Sequence, residues 1–309
     1  HKHDFDPNYG NIVLHVVWEH DVELNLPFPT LELKSMVPKL LLEKYEELMV
    51  GKASIPCRSM LKGVNPLAIE KCKENMILER MEYKSVLRFF RDAFDNIDWE
   101  ENCWRTIAAY FGGKVNAGVF ESMAEKISYK LLLQNRHDAA NVEALLMGTC
   151  GLLNRDFTED YPQKLKAIYQ LLRNKYAISQ TPLRVNFLRM RPAGFPTLRL
   201  SQLSQLLVKK EKLFSIMINA VELKELKSYL DVNASAYWNE HYVFEEYSPF
   251  REKRLGSSAI EGIIINVAVV LNFAYGVFKQ REELKQKAID WLLQLEPEQN
   301  QIIMLLKNL

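Results

Sequence analysis

Fifty consecutive residues, 161–210, hold ten cations and no Asp or Glu. The cations are Lys164, Lys166, Arg173, Lys175, Arg184, Arg189, Arg191, Arg199, Lys209 and Lys210. The rest of the 309-residue chain carries 30 basic against 39 acidic residues, so a formal net charge of +1 hides an internal asymmetry. A block of one sign points to a partner of the other, through its field and the counterions it releases. Arg189 and Arg191 are two apart and share a side in extended chain. Pro192 and Pro196 bracket Ala193-Gly194-Phe195, which is loop chemistry. Thr197 is then expected to cap a helix carrying Leu200, Leu203 and Leu207. That puts Arg199 in the first helical turn, where the dipole opposes a cation by about 0.3–1 kcal/mol and a bound anion reverses the sign. Arg189, Arg191 and Arg199, with Lys164, Lys166, Arg173 and Lys175, are the candidate anion-binding residues. The alternative is that the arginines pair with carboxylates from the acidic remainder.

A second set lies near the start. Asp21 on one short strand and Glu32-Leu33-Lys34 on another have the arrangement of the PD-(D/E)XK nuclease core. There two carboxylates hold Mg²⁺ or Mn²⁺ and the lysine orients or activates the attacking water. Asp21 and Glu32 are thus candidate metal ligands, and Asp21, Glu32 and Lys34 candidate catalytic residues. Strand alternation puts Glu32 and Lys34 on one face. Glu-x-Lys also occurs at Glu82, Glu222, Glu225 and Glu283, all in helical context. The competing reading of Glu32 and Lys34 is a solvent-facing strand edge. Four of the six histidines, His1, His3, His15 and His20, fall in the same region, beside Asp4, Asp6, Glu19 and Glu23. His1-x-His3 followed by Asp suits zinc or manganese, yet no fourth ligand emerges. His15 alternates with Leu14 and Val16, as a structural histidine on a strand does.

Other chemistries find no motif. Cys57, Cys72, Cys103 and Cys150 are dispersed without a Cys-x-x-Cys, as in a reduced, cytoplasmic setting. Gly112-Gly113-Lys114 lacks the spacing of a phosphate-binding loop. No Gly-x-Ser-x-Gly elbow occurs. Ser257-Ser258 reads as a helix cap and Asn266 as a buried hydrogen-bonding residue. Tyr237, Trp238, Tyr242, Phe244, Tyr247 and Phe250 precede Arg251, Lys253 and Arg254, a mixture that stacks bases or packs a core.

These residues need elements to hold them. Residues 11–18, 21–26 and 30–34 read as short strands, punctuated by Pro27 and Pro29. From Pro38 onward the apolar period is helical. Helices are expected over 39–49, 66–94, 119–133, 139–153, 163–175, 198–219, 223–230, 258–278, 282–295 and 297–308, with 234–250 irregular. Asp98 is expected to cap a helix that ends before Gly112-Gly113. The uncharged run 262–278 is short for a membrane span and contains Asn266 and Asn272, so a buried helix is expected and no membrane partner. The fold class is therefore α+β: a small β unit, residues 1–37, followed by a large, mainly helical domain, 38–309.

Several stretches together resemble a known family: HKHDFDPNYGNIVLHVVWEHD (1–21), PTLELK (29–34), IPC (55–57), KVNAGVFE (114–121), EALLMGTCGLL (143–153), FLRMRPAGFPTLRL (187–200) and LGSSAIEGIIINVAVVLNFAYG (255–276). They resemble an uncharacterised family of Bacteroidetes proteins, the domain of unknown function numbered 2851. The resemblance covers essentially the whole chain. It implies a cytoplasmic bacterial protein, longer at both ends, with an upstream β-rich segment and a cysteine-rich tail. Consistently, the chain begins with His and is read as a piece of a longer protein. The resemblance supplies no catalytic residue. The residues themselves give a nucleic-acid-associated protein as the leading expectation, with metal-dependent phosphodiester hydrolysis as an extension. The alternatives are a non-enzymatic scaffold docking an acidic partner, and a small-molecule enzyme holding a phosphate or carboxylate.

Overall fold

The period of the apolar residues changes once along the chain, and the secondary structure changes with it. The computed structural model describes residues 12–22, 26–50, 55–56, 58–89, 97–179, 181, 183–209, 212–296 and 304. The chain divides into two compact units, residues 1–70 with 297–309, and residues 71–296.

In the first unit, β1 (His15–Val17) pairs in parallel with β2 (Thr30–Glu32), Val16 opposite Leu31 and Val17 opposite Glu32. The ladder runs on when Leu33 and Lys34 donate to the carbonyls of Val17 and Trp18. The strand expected over 21–26 is not one where it is described, because Asp21, Val22 and Leu26 pair with nothing. Pro27 and Pro29 lack the donors that a third strand would need. α1 (Lys39–Val50) follows and has no buried residue.

The second unit is an α-helical body, and with the two small sheets it makes the chain α+β as expected. α2 (Pro66–Phe89) enters it from residue 71. Asp98 caps α3 (Trp99–Phe111) as expected, its side chain accepting from Glu101 N at 3.0 Å. α4 (Gly113–Lys126) starts at once, on a glycine with φ +60°, a conformation that favours glycine. α5 (Tyr129–Asn135) is separated from α4 by Ser128, which caps it. The single helix expected over 119–133 is therefore two. α6 (Ala139–Thr149) and α7 (Asp160–Lys175) pack together, as do α6 and α8 (Pro196–Lys209). α9 (Leu213–Asn219) and α10 (Leu223–Leu230) complete the middle section, dividing the helix expected over 198–219. The aromatic-rich segment forms a short antiparallel pair, β3 (His241–Val243) with β4 (Glu246–Tyr247). α11 (Ser257–Ile263), a π-helical turn (Ile264–Ala268) and α12 (Val269–Lys279) form one continuous apolar helix, and α13 (Glu282–Gln294) packs on α12. By length and composition that continuous helix, Ser257–Lys279, could cross a membrane; here most of it is buried in the helical core.

α6 is the centre. Every residue from Val142 to Thr149 is buried, so this helix is covered on all sides. That enclosure includes a carboxylate. Glu143 is 1% exposed. It accepts from Trp238 Nε1 at 2.7 Å, Ser201 Oγ at 3.1 Å and Ser235 Oγ at 3.2 Å. Burial pushes its carboxyl above the ordinary value of 4.5, against the pull of these hydrogen bonds. Gly148, one turn on, lets Tyr169 of α7 lie against the helix backbone. A Cβ there would sit 2.2 Å from the ring.

This core can be tested at both residues. Gly148→Ala gains helix propensity but drives a methyl into Tyr169. Overpacking of this kind costs about 1–3 kcal/mol, so a lower denaturant midpoint is expected, partly restored by adding Tyr169→Leu. An unchanged midpoint would contradict the packing. For Glu143, the raised folded value means that the native state holds a proton the unfolded chain has released. Stability should therefore fall as pH rises from the ordinary carboxylate range. Melting followed from about pH 5 to about pH 8 should show that decline, and Glu143→Gln should flatten it.

Candidate functional site

Arg189 and Arg199, both singled out by their place in the acid-free stretch, meet in one cavity of about 1040 Å³ in the helical unit. Arg80, Lys84 and Lys114 join them, and among the described residues no Asp or Glu lines the space. Five cations thus come from four separate segments: α2, the start of α4, the loop before α8, and α8 itself. Apolar side chains line it as well: Val115 is exposed and Met190 partly so, whereas Leu255, Ile263 and Val270 are buried.

Each cation is placed by a local device. The loop bearing Arg189 is tied to α4 by Asn116, which is 1% exposed. Asn116 donates to Asn186 O at 2.9 Å and accepts from Asn186 N at 2.8 Å, both main-chain groups. Phe187 and Phe195 close the loop edge to face, with ring centroids 5.3 Å apart. Arg189 itself has φ +61°, a left-handed conformation that costs a non-glycine residue energy and clusters at functional positions. Lys114 is the second residue of α4, whose start has no side-chain cap. Arg80, Tyr83 and Lys84 stand at i, i+3 and i+4 on α2 and so share a face.

Lys84 Nζ donates to Asn266 Oδ1 at 2.6 Å. Asn266 sits in the π-helical turn and donates from Nδ2 to Gly262 O at 2.9 Å. A π turn widens the helix by one residue and is frequent at functional sites. Gly262 is the counterpart on the same helix. A Cβ there would come within 1.7 Å of the Tyr110 hydroxyl, so only glycine lets Tyr110 reach the cavity wall.

Arg199 is half-buried, and its Nη1 donates to Gln202 Oε1 at 3.3 Å, a neutral acceptor. Burial pulls its guanidinium below the ordinary arginine value, with the Tyr110 phenol acting in the other direction. Among the described residues no carboxylate pairs with Arg199, and Arg80, Lys114 and Arg189 likewise make no ion pair. Thr197 is not the cap expected. α8 begins at Pro196, a favoured first position, and buried Thr197 lies inside the helix, donating to Tyr242 O at 2.6 Å. Arg199 remains in the first turn. Ser257 and Ser258 are likewise inside α11, whose cap is Gly256.

The other expected residues are dispersed. Lys164 and Lys175 fall on one side of α7 and Lys166 and Arg173 on nearly the opposite side, as helical geometry dictates. Lys166 is bound to Asp156 at 2.7 Å and to Arg155 O. Arg173 stands 6.0 Å from the Tyr169 ring centroid and Lys175 5.0 Å from that of Tyr176. Arg191 and Arg184 are exposed. Lys209 caps α10 by donating to the carbonyls of Ser228, Tyr229 and Asp231. Of the aromatic segment, Trp238 and Phe244 are core, Lys253 lies 3.9 Å from the Tyr242 ring centroid, and Arg254 pairs with Asp231.

In the first unit, Asp21 is exposed and outside the strands. Glu32 accepts from His20 N at 3.4 Å, and Lys34 pairs with Glu19 at 2.5 Å. His15 Nδ1 is 3.4 Å from Thr30 Oγ1. The His1-x-His3 motif lies outside the described residues. Among the described residues no three His, Cys, Asp or Glu side chains are grouped to hold a metal ion.

Sequence reasoning found Arg189 and Arg199 and read Asn266 as a hydrogen-bonding residue, but missed Arg80, Lys84 and Lys114. Lys114 carried a signal: Gly-Gly-Lys fails as a phosphate loop but still opens a helix. The family model described as "Protein of unknown function (DUF2851)" covers residues 1–301. No curated protein and no solved structure matches the chain.

Arg199 gives the direct test of this geometry. In buffer free of multivalent anions, Arg199→Glu should stabilise the protein by about 0.3–1 kcal/mol, because a carboxylate suits a helix start and meets four cations. Inorganic phosphate or sulfate should raise the melting temperature of the unaltered chain and leave that of the variant unchanged. Destabilisation by Arg199→Glu in anion-free buffer would mean that the arginine serves the fold.

Proposed function

We propose, from the premise that this chain belongs to the DUF2851 family, that its helical unit binds anions and that the protein associates with nucleic acid through phosphate. One observation supports the reading above others: five cationic residues converge on one cavity that, among the described residues, no carboxylate lines. Positive charge of that density destabilises an empty fold by self-repulsion and is relieved when a multiply charged anion enters. Arginine offers phosphate a planar, bidentate fork and lysine a point charge, and the cavity has both. Phosphate in series on a backbone supplies several charges at once, which a lone carboxylate does not.

The reading is of binding. Asp21, Glu32 and Lys34 belong to the other unit and enter no step of it, so metal-dependent cleavage adds a claim that the cavity does not need. The scaffold reading draws instead on α7, where Lys164 and Lys175 are exposed on one face and Lys166 and Arg173 are half-buried on the other, with Lys166 already engaged by Asp156.

Binding of a labelled oligonucleotide should weaken linearly in log salt, by about 0.7 per phosphate neutralised on a single strand. Replacing Lys114 and Arg189 together by Gln should remove roughly 1.4 from that slope. The quadruple Gln variant at Lys164, Lys166, Arg173 and Lys175 should change it less. A larger effect of the α7 variant moves the contact surface from the cavity to α7.

A further inference from the structure

We propose that the nucleic acid taken by this cavity is single-stranded, its backbone held by the cavity cations while a base stacks on Tyr83. The inference rests on the phosphate-binding reading above and adds the strand class and the residue that selects it. Its basis is the face of α2. Arg80, Tyr83 and Lys84 stand at i, i+3 and i+4, and all three line the cavity. Tyr83 is 67% exposed, so its ring lies in solvent at the mouth rather than in the core. An aromatic ring flanked by cations is the unit from which single-strand sites are built: cations follow the backbone, and the ring takes whichever base face is offered.

Size argues the same way. A volume of about 1040 Å³ equals a sphere about 12–13 Å across. The major groove of a duplex alone is about 12 Å wide, so a double helix cannot enter, whereas one or two unpaired nucleotides can. The apolar side chains that the cavity leaves accessible, Val115 and Met190, suit a base or sugar and give nothing to a bare phosphate ion. An acidic peptide would satisfy the cations equally well, but it has no use for an exposed ring at the rim.

The experiment uses the full chain and three fluorescein-labelled probes of equal length, about ten nucleotides, a range covered by known single-strand sites. They are an oligo-dT, an abasic strand of the same charge, and a duplex. The oligo-dT should bind roughly 5- to 150-fold tighter than the abasic strand, the range that one stacked base provides. Tyr83→Phe should keep that ratio, and Tyr83→Ala should bring it to about one while the salt slope persists. Equal binding of oligo-dT and abasic strand, a duplex bound as tightly as the single strand, or an unchanged ratio in Tyr83→Ala would each overturn the proposal. Should pyrophosphate raise the melting temperature while no oligonucleotide binds, the anion cavity stands and the single-strand inference falls. Should neither bind, the phosphate-binding reading falls as well.

Discussion

A carboxylate enclosed in the middle of a helical body has to be satisfied before anything around it can pack. Glu143 sets that condition here. Leaving a charge or an unpaired carboxyl in such surroundings costs several kcal/mol, so donors must be delivered to both of its oxygens. α8 delivers Ser201, and the chain after α10 delivers Ser235 and the Trp238 indole. These groups lie 58 to 95 residues from Glu143 along the chain. The requirement therefore fixes how three distant stretches cross. It also explains why an aromatic segment with little regular structure is well placed: Trp238 and Phe244 are anchored at the same centre.

The cavity is organised on the opposite principle. Around Glu143 the sequence supplies hydrogen-bond donors to both carboxyl oxygens; among the described residues it supplies no carboxylate to Arg80, Lys114, Arg189 or Arg199. Costs also accumulate there. Arg189 takes a left-handed backbone, Gly262 gives up a side chain so that Tyr110 can approach, and the apolar helix departs from α geometry to present Asn266 to Lys84. Each departure lowers stability slightly, and a fold keeps such features where something other than stability is served. Their coincidence on one concave surface distinguishes this place from α7, where the cations sit on ordinary helix geometry.

Much of the fold was legible because its signals are local. The switch from period two to period 3.6 near Pro38, the Asp98 cap and the helical runs all operate within a few residues. Boundaries were less so. Pro196-Thr197 permits either a proline first position or a threonine cap, and the choice was made by Tyr242, 45 residues away, whose carbonyl takes the hydroxyl. The site divides in the same manner. An acid-free window announces Arg189 and Arg199 through composition. It could not announce that Lys166 is engaged, because Asp156 lies just outside the window. Lys84 meets Asn266 across 182 residues, and no spacing rule reaches that far. The Asp21 and Glu-x-Lys pattern shows the converse, since correct residue types in a strand-like setting need a shared ladder, and pairing stops short of Asp21.

The π-helical turn has a consequence for how this helix tolerates changes in length. Five residues there occupy the arc that four to a turn would otherwise span, so the helix contains a one-residue surplus. Losing one codon in this stretch would let the helix close into uniform α geometry. Everything downstream, including the buried row Val269, Val270 and Phe273, would keep its angular phase relative to the core only if the surplus were the residue removed. The surplus thus acts as a tolerance joint. It sits where the helix presents Asn266 to Lys84, while Val270, one turn on, both lines the cavity and packs in the core.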